Sequence, residues 1–465
     1  MMGGIVILSK EVAMVAPEVL ERFMTRSPVS VMARGLLEFV FPAGWLDQMF
    51  RETAIQQREG ELLFSLLVET LSLAVTSARK SPHAAYEALR ERFDVSVNSF
   101  YNKLQGVEVQ VSRALVLRSS ARLLPVLRRF KIKPRSLLSG YRVKILDGNH
   151  LAGTERRLKE VRGKHAHPLP GLTVVVLDPQ WKLILDAFPL EDPYAQERSL
   201  LEAVLETVEP KDLWLGDRAY CTTAFLTGIR ARGASFLIRQ HATALTGKEL
   251  IGQRRKVGRC TTGVVYEQAL SITHEGETVM LRRITIELDT PTSSGDEVIH
   301  LVTNLAHSAS KLADLYLERW TIENAFQELG QALRGEINTL CYPKAALLAF
   351  CIASYTYNLL AAMRAAIAEA HPESIAHTEV SCYYLAEEIG AVGSGLSIAV
   401  PDDWWTAEYA PLTPTKMAAR LKLLAAHINP QRFRKRTRRT RNPPPKRRGD
   451  YRDHLSAARL IAERR

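Results

Sequence analysis

Three carboxylates constrain the fold of this chain more than any other feature. Asp147 follows a strand-like run at residues 143–146, and Asp217 follows a second run at 213–215. The third, Glu323, lies inside a segment of strongly helical character. Because the carboxyl ends of strands are where α/β sheets present reactive groups, we expect both aspartates at one edge of a sheet. Three acids on rigid elements can hold two divalent metal ions, the arrangement that in-line attack on a phosphodiester requires.

The segments around these acids alternate between β-rich and helical patterns, which predicts an α/β layer with a mixed sheet. The expected strands are 143–146, 172–177, 183–188, 213–215, 235–239 and 299–303. The expected helices are 194–207, 222–232 and 308–333. Short antiparallel runs at 264–266, 270–273 and 278–286 interrupt the alternation and predict an all-β insertion.

Helical segments flank this layer on both sides. Residues 11–135 have apolar side chains at helical spacing, and residues 345–427 are again helical. Two short helices around a turn at 81–104 are typical of a helix-turn-helix, with Tyr101, Asn102 and Lys103 on the second helix. These side chains either face a DNA groove and its phosphates or pack within the fold, and both interpretations stay open.

The changes of pattern predict an order of domains. The expected regions are a helical N-terminal DNA-binding region at 1–138, a catalytic core at 139–240 and 298–345, a β-rich insertion at 241–297, a helical C-terminal region at 346–428 and a basic tail at 429–465. The tail contains three consecutive prolines and many cations, a composition that predicts a disordered arm.

The charge of the chain favours a polyanionic partner. The net charge is +12 over 465 residues, and the segment from Arg432 to Arg448 holds ten lysines or arginines and no acid. This balance predicts binding to nucleic acid, with Arg434, Lys435 and Arg436 as candidate phosphate contacts. The alternative is a tail that only increases solubility.

The remaining composition argues against several classes of protein. The five cysteines are scattered and form no CxxC pair, which favours a reducing cytosol over a disulfide framework or a structural zinc site. The apolar run at 345–360 contains Ser, Thr, Tyr and Asn, so it predicts a core helix and no membrane span. His150, His165 and His167 lie near the first aspartate, but their spacing fits no common zinc site.

One face of the last helix of the layer carries three functional side chains. Tyr316, Arg319 and Glu323 are spaced at i, i+3 and i+7, so a continuous helix would place them on one side. Arg319 could bind a phosphate through two hydrogen bonds, and Glu323 could bind a metal ion. For this helix taken alone, a solvated surface with one ion pair is the favoured interpretation of the pattern.

The three acids also occur in recognisable local contexts. Asp217 lies within Gly216-Asp217-Arg218-Ala219-Tyr220, and Tyr316, Arg319 and Glu323 have the spacing Tyr-x2-Arg-x3-Glu. In this order and spacing, over about residues 140–360, the chain resembles the DDE transposases of bacterial insertion sequences. It is most similar to the insertion-sequence-four branch, in which the helical motif continues to a lysine.

The resemblance implies a fold, a reaction and partners. It implies an RNase H-like core, with three antiparallel strands followed by parallel ones, and two Mg²⁺ ions held by Asp147, Asp217 and Glu323, with Mn²⁺ as a substitute. Water would nick the ends of a mobile element, and the freed 3′-OH would attack target DNA. The implied partners are the terminal inverted repeats, the target duplex and a second subunit in a synaptic homodimer, in a bacterial cytoplasm at the nucleoid. The candidate DNA contacts near the acids are Tyr316, Arg319, Arg218 and Lys164.

The sequence departs from the motif in two places. Gly330 stands where the motif has its lysine, and Arg334, one turn further on, is the candidate replacement. The β insertion contains Tyr266 but no tryptophan, so this tyrosine is a weak candidate to receive a flipped base. Trp404 and Trp405 are expected to pack in a core, the alternative being a stacking platform.

Two other functions remain open. The first is an RNase H-like nuclease that cleaves DNA without joining strands, and the second is a DNA-binding repressor or transposase relic without catalysis. The sequence also leaves open whether cleavage proceeds through a hairpin intermediate.

Overall fold

The computed structural model describes two compact units. The described residues are 17–58, 60–132, 134, 136–161, 167–240, 245, 248–292, 294–436 and 455–463. The first unit, called the sheet unit, comprises Pro134–His150 and Leu172–Phe326. The second, called the helical unit, comprises Met1–Lys133, Leu151–Gly171 and Gln327–Arg465.

One sheet organises the sheet unit. Its strands are β1 (Arg142–His150), β2 (Leu172–Asp178), β3 (Leu183–Leu190), β4 (Asp212–Gly216), β5 (Ser235–Arg239), β6 (Glu249–Cys260), β7 (Gly263–His274), β8 (Glu277–Leu288) and β9 (Val298–Thr303). They lie in the order β3-β2-β1-β4-β5-β9-β8-β7-β6. Among the first three strands of this order, each is antiparallel to its neighbour. β4 runs parallel to β1, and β5 runs parallel to β4. The mixed sheet predicted from the alternation is therefore confirmed.

The helices follow in chain order. They are α1 (Pro17–Arg26), α2 (Pro28–Val40), α3 (Ala43–Thr53), α4 (Phe64–Val75), α5 (Pro82–Ala88), α6 (Val97–Gly106), α7 (Val109–Leu127), α8 (Leu201–Leu205), α9 (Thr223–Ala231), α10 (Ala309–Tyr316), α11 (Trp320–Gln331), α12 (Pro343–Ala370), α13 (Cys382–Ala399), α14 (Asp402–Tyr409), α15 (Pro414–Ala425) and α16 (Ala457–Ala462).

A continuous apolar cluster holds the sheet unit together. It joins the strands to α8 and α9, and its members include the fully buried Trp214 of β4, Phe236 of β5 and Phe225 of α9. β2 is buried along nearly its whole length, as its unbroken run of apolar residues requires. The hydrophobic free energy of this cluster stabilises the central strands, and with them the positions of Asp147 and Asp217.

The β insertion differs from its prediction in length and in connection. The runs predicted at 264–266 and 270–273 are one strand, β7, and β6 was not predicted at all. β6 is polar, basic and exposed along almost all of its length, so it lacks the alternation by which a half-buried strand is recognised. β8 pairs with β9, so β6, β7 and β8 continue the core sheet and form no separate domain.

Two helices of the sheet unit also differ from their predictions. The expected helix at 194–207 is a 3₁₀ turn, Glu197–Leu200, followed by the short α8. The expected helix at 308–333 is divided into α10 and α11 by a second 3₁₀ turn, Leu317–Arg319. Short 3₁₀ turns are common connectors between helices, and this one coincides with long-range contacts of Tyr316 and Arg319 described below.

The helical unit is assembled around α12. This helix is rich in alanine and leucine on all sides and packs against α2, α4, α6, α7 and α15. It is long and apolar enough to cross a membrane, but its most apolar window is wholly buried within the protein, which confirms the predicted core helix. Because α12 packs against helices from both ends of the chain, the predicted N- and C-terminal helical regions form one unit, not two.

The basic tail is more ordered than its composition predicted. Pro430–Phe433 forms a 3₁₀ turn, and Leu455–Ser456 pairs in parallel with Pro168–Leu169. α16 follows, and its Ala457 and Leu460 are buried in a small cluster with Leu158. The expectation of a disordered arm is therefore wrong for Pro430–Phe433, where Phe433 is buried, whereas the terminal helical turn expected at 455–461 forms as α16. Residues 437–454 lie outside the described part of the chain.

Candidate active site

Asp147 and Asp217 lie side by side on neighbouring strands. The parallel pairing of β1 with β4 ends where Leu146 is opposite Gly216, and each aspartate is the next residue of its chain segment. β1 itself continues to His150 through its pairing with β2, so Asp147 lies within the strand and the expectation that it follows the strand is wrong. Neighbouring strands are about 4.8 Å apart, so the two aspartates lie side by side. Each carboxylate accepts the next backbone N–H, that of Gly148 at 3.0 Å and that of Arg218 at 2.7 Å.

The turn between α10 and α11 attaches Glu323 to these strand ends. The buried Tyr316 hydroxyl donates to the carbonyl oxygen of Gly216 at 3.2 Å, directly before Asp217. Arg319 donates from Nη1 to Asp147 at 3.1 Å and from Nη2 to Glu323 at 3.0 Å. One guanidinium therefore spans the first aspartate and the helical glutamate, so the two carboxylates lie within the reach of a single arginine fork.

Burial changes the protonation of the first aspartate. The pKa of Asp147 is raised from 3.8 to about 7, and desolvation by burial is the largest cause. Arg319 and the N–H of Gly148 lower this pKa, whereas the negative charges of Glu197 and Asp217 contribute to the rise. A buried carboxyl group with several acidic neighbours is stabilised when it binds a proton or another cation.

The donor set fits Mg²⁺ or Mn²⁺ bound by pairs of carboxylates. All of the convergent side-chain ligands are carboxylate oxygens, which hard divalent cations prefer, and Mg²⁺ needs only one or two of them beside its waters. Asp147 pairs with Asp217 through the strand register and with Glu323 through Arg319. Within the described residues, no three His, Cys, Asp or Glu side chains are close enough to share one ion.

The Nε of Arg319 has no protein partner among the described residues. The Arg319 side chain is 9% exposed, and this Nε is buried. The ring of the half-exposed Trp320 lies 4.9 Å from the guanidinium carbon. An anionic oxygen beside the acids could accept from this Nε, which is consistent with the predicted phosphate contact.

Glu197 is a fourth carboxylate at the site, and the sequence did not reveal it. Its Oε2 accepts a hydrogen bond of 2.6 Å from the Tyr220 hydroxyl, and its charge acts on Asp147. It lies in the 3₁₀ turn before α8, far in sequence from its partners. No local pattern marks such a residue, although Tyr220 was part of the quoted motif.

Two further candidates in the sheet unit are exposed to different extents. Arg218 is exposed directly after Asp217, as a phosphate contact requires. The Tyr266 ring has the guanidinium of Arg254 4.0 Å from its centroid, and its hydroxyl interacts with Glu287. One face of this ring is thus already covered by a cation, which weakens its candidacy for stacking a flipped base.

The helix-turn-helix candidates are only partly available. α5 and α6 form as predicted, and Ser96 caps α6 by accepting from the N–H of Ser99 at 3.2 Å. Asn102 is exposed and Tyr101 is half-buried. The ammonium of Lys103 lies 4.4 Å from the centroid of the Phe50 ring and donates to a backbone carbonyl, so Lys103 packs within the unit.

Most of the basic candidates of the helical unit already have protein partners. Arg334 donates to the carbonyl oxygen of Lys80 at 3.0 Å from a backbone with a φ of +40°. Arg434 and Lys435 pair with Glu379 at 3.2 Å and Glu328 at 2.9 Å, whereas Arg436 is exposed. Their DNA contacts stay predictions. The predicted contact Lys164 lies outside the described residues.

The histidines and tryptophans have ordinary structural roles. His167 Nδ1 lies 3.0 Å from the carbonyl oxygen of Thr154, His150 is exposed, and His165 lies outside the described residues. Trp404 and Trp405 are 7% and 0% exposed and pack edge to face, which confirms the predicted core packing.

Comparison with known proteins connects this site to a family. Residues 138–359 match the model of the transposase DDE domain. This segment contains all three acids of the motif, and the match supports a DDE transposase. No curated protein sequence matches the chain.

A similar solved structure is the synaptic complex of a piggyBac transposase with hairpin DNA. It is 9% identical with a TM-score of 0.41, and the alignment covers 87% of this chain and 86% of that one.

Proposed function

We propose that this chain is a DDE transposase of the insertion-sequence-four type, which binds the terminal inverted repeats of a mobile element, nicks its ends and joins the freed 3′-OH to target DNA. The observation that carries the proposal is the adjacent placement of Asp147 and Asp217 where the parallel pairing of β1 with β4 ends, with Glu323 connected to Asp147 through Arg319. The match of residues 138–359 to the transposase DDE domain supports it independently.

The strand order supports an RNase H-like core. The resemblance implies three antiparallel strands followed by parallel ones. The observed strand order β3-β2-β1-β4-β5 has this arrangement, with antiparallel neighbours from β3 to β1 and parallel neighbours from β1 to β5. β6, β7 and β8 enter between β5 and β9 and form the proposed all-β insertion. In such a core the first aspartate belongs to the central strand, as Asp147 does on β1.

Each residue of the site has a separate task. Asp147, Asp217 and Glu323 would hold two Mg²⁺ ions, which would supply activation of an oxygen nucleophile and charge stabilisation of the leaving 3′-oxygen. Tyr316 anchors the turn before α11 to the strand that precedes Asp217. Arg319 orients two of the carboxylates and offers its unpartnered Nε to the phosphate next to the scissile bond. Arg218, exposed beside Asp217, contacts the DNA backbone.

The proposed partners follow from the chemistry and the charge. Nicking and joining require element ends and a target duplex. The net charge of +12 favours binding of both DNA partners. Two ends must be brought together, so we propose a homodimer in the synaptic complex. The proposed location is the bacterial cytoplasm at the nucleoid.

A strand-transfer assay tests the proposal. The purified full chain is mixed with Mg²⁺, a labelled duplex carrying the inverted repeat that flanks the coding region, and a supercoiled target. We expect nicking of the uncut end and joining of a pre-cut 3′-OH end to the target. Cleavage without any joined product from the pre-cut end would mean a nuclease, and end binding without cleavage would mean a non-catalytic relic.

The raised pKa of Asp147 predicts pH-dependent metal binding. Because the ion must displace a proton from a carboxyl whose pKa is about 7, we expect Mn²⁺ affinity without DNA to rise roughly tenfold from about pH 6 to about pH 8. Calorimetric titration measures it, and an affinity that stays flat over this range contradicts the prediction. In the metal-free protein, protonation of Asp147 stabilises the folded state. This contribution to the free energy of unfolding is complete below the unfolded pKa of 3.8 and is lost as the pH rises through about 7.

Gly330 provides a test of the missing motif lysine. An added β-carbon there meets no atom within 4 Å, so α11 can accept a side chain. We expect Gly330→Lys to strengthen binding to element-end DNA and to steepen its salt dependence by about one unit of slope. The matched control, Gly330→Gln, should stabilise α11 by roughly 0.5–1 kcal/mol without a change in DNA affinity. Equal DNA affinities of the two variants, measured by salt titration of binding, would exclude a phosphate near this position.

A further inference from the structure

Glu197 connects the two segments that carry the aspartates. Its Oε2 accepts the 2.6 Å hydrogen bond from Tyr220, three residues after Asp217 and fully buried. The next residue, Arg198, donates from Nε to the carbonyl oxygen of Ala219 at 2.9 Å. The turn that begins at Glu197 is therefore bound twice to the turn that follows Asp217.

The other oxygen of Glu197 lies against β1. A β-carbon on Gly148 would be 2.3 Å from Oε1, so the carboxylate occupies the space that any side chain at position 148 would need. Successive residues of a strand point to opposite faces, so Glu197 reaches β1 from the face opposite the Asp147 side chain. Glu197 therefore contacts β1 at Gly148, whereas Arg319 contacts Asp147 and Glu323.

We propose that Glu197 is a positioning residue that fixes the separation of Asp147 and Asp217 by holding the Tyr220 turn against Gly148. The inference rests on the proposed function, in which these two aspartates share a metal ion. A shared ion tolerates little variation in the distance between its ligands, and partners that orient ligands typically contribute tenfold to a hundredfold in metal affinity. Glu197 acts through the hydrogen bond that it accepts, which a neutral amide oxygen can also accept.

The test compares an isosteric change with a truncation. Mn²⁺ affinity without DNA and the cleavage rate are measured for Glu197→Gln, Glu197→Ala and Tyr220→Phe, with the exposed Glu202→Ala of α8 as matched control. We expect Glu197→Ala and Tyr220→Phe to weaken Mn²⁺ binding by about tenfold or more, and the double variant to lose no more than either single change. Glu197→Gln should stay within about threefold of the unmodified protein, as should Glu202→Ala.

Two outcomes overturn the inference. If Glu197→Gln loses as much affinity as Glu197→Ala, the charge of Glu197 binds the ion and its role is that of a ligand. If Glu197→Ala keeps full affinity while Asp147→Asn loses it, Glu197 does not position the aspartates. Mn²⁺ binding that survives in Asp147→Asn instead overturns the proposed function itself. Thermal melting of each variant establishes that it is folded.

Discussion

Replacing Asp147 by asparagine is expected to slow DNA strand cleavage by about a thousandfold or more while the protein stays folded and binds element ends. Asp147 is the one acid connected to both others, through the strand register to Asp217 and through Arg319 to Glu323. Its loss therefore weakens both proposed metal positions. Metal ions supply several kcal/mol of charge stabilisation, and about 4 kcal/mol corresponds to a thousandfold in rate.

The fold should tolerate this change. Burial already disfavours the charged form of Asp147, so the neutral amide removes an unfavourable buried charge and can still accept from Arg319. The matched control is Asp289→Asn, an exposed aspartate of the same unit that pairs with Arg259 and should leave the cleavage rate unchanged. Cleavage by Asp147→Asn within tenfold of the unmodified rate, with an unchanged melting temperature, would contradict a metal site at this strand end.

Local patterns were sufficient for the central strands and the acids they carry. β2, β4 and β5 are short apolar runs bounded by polar or glycine residues, so composition alone located them, and Asp217 followed as a strand-end residue. The run predicted at 143–146 is only the apolar part of β1, which continues through Asp147 to His150 because it pairs with β2. The parallel register that places Asp147 and Asp217 side by side is long-range. It was expected from the behaviour of α/β sheets and is observed in the pairing of Leu146 with Gly216.

The structural features that were not predicted from the sequence depend on contacts between distant segments. β6 is exposed and basic, so only its pairing with β7 makes it a strand. The predicted helix at 308–333 is divided where Tyr316 bonds to Gly216 and Arg319 to Asp147. Glu197 became visible only when folding brought it to Gly148 and Tyr220. In each case the tertiary partner, and not the local propensity, decided the structure.

Arg319→Gln should have opposite effects on metal binding and on cleavage. In the metal-free protein the guanidinium is the cation that neutralises Asp147 and Glu323, at 3.1 and 3.0 Å. A metal ion must compete with this charge, so its removal is expected to raise Mn²⁺ affinity without DNA by about tenfold. The same change removes the donor proposed for the substrate phosphate, so cleavage should fall by at least about tenfold.

The direction in which Arg319→Gln changes the Mn²⁺ affinity distinguishes two roles of Arg319. If the arginine mainly holds the carboxylates in place, its removal lets them move apart, and Mn²⁺ affinity falls together with cleavage. If it is a counter-ion that gives way to the metal, affinity rises although the enzyme is slower. The control is Arg142→Gln, which removes an arginine paired with Asp212 near the opposite end of β1 and should change neither quantity more than about twofold. Calorimetric Mn²⁺ titration and single-turnover cleavage of both variants therefore decide whether the acids of this site exchange one cation for another when they become active.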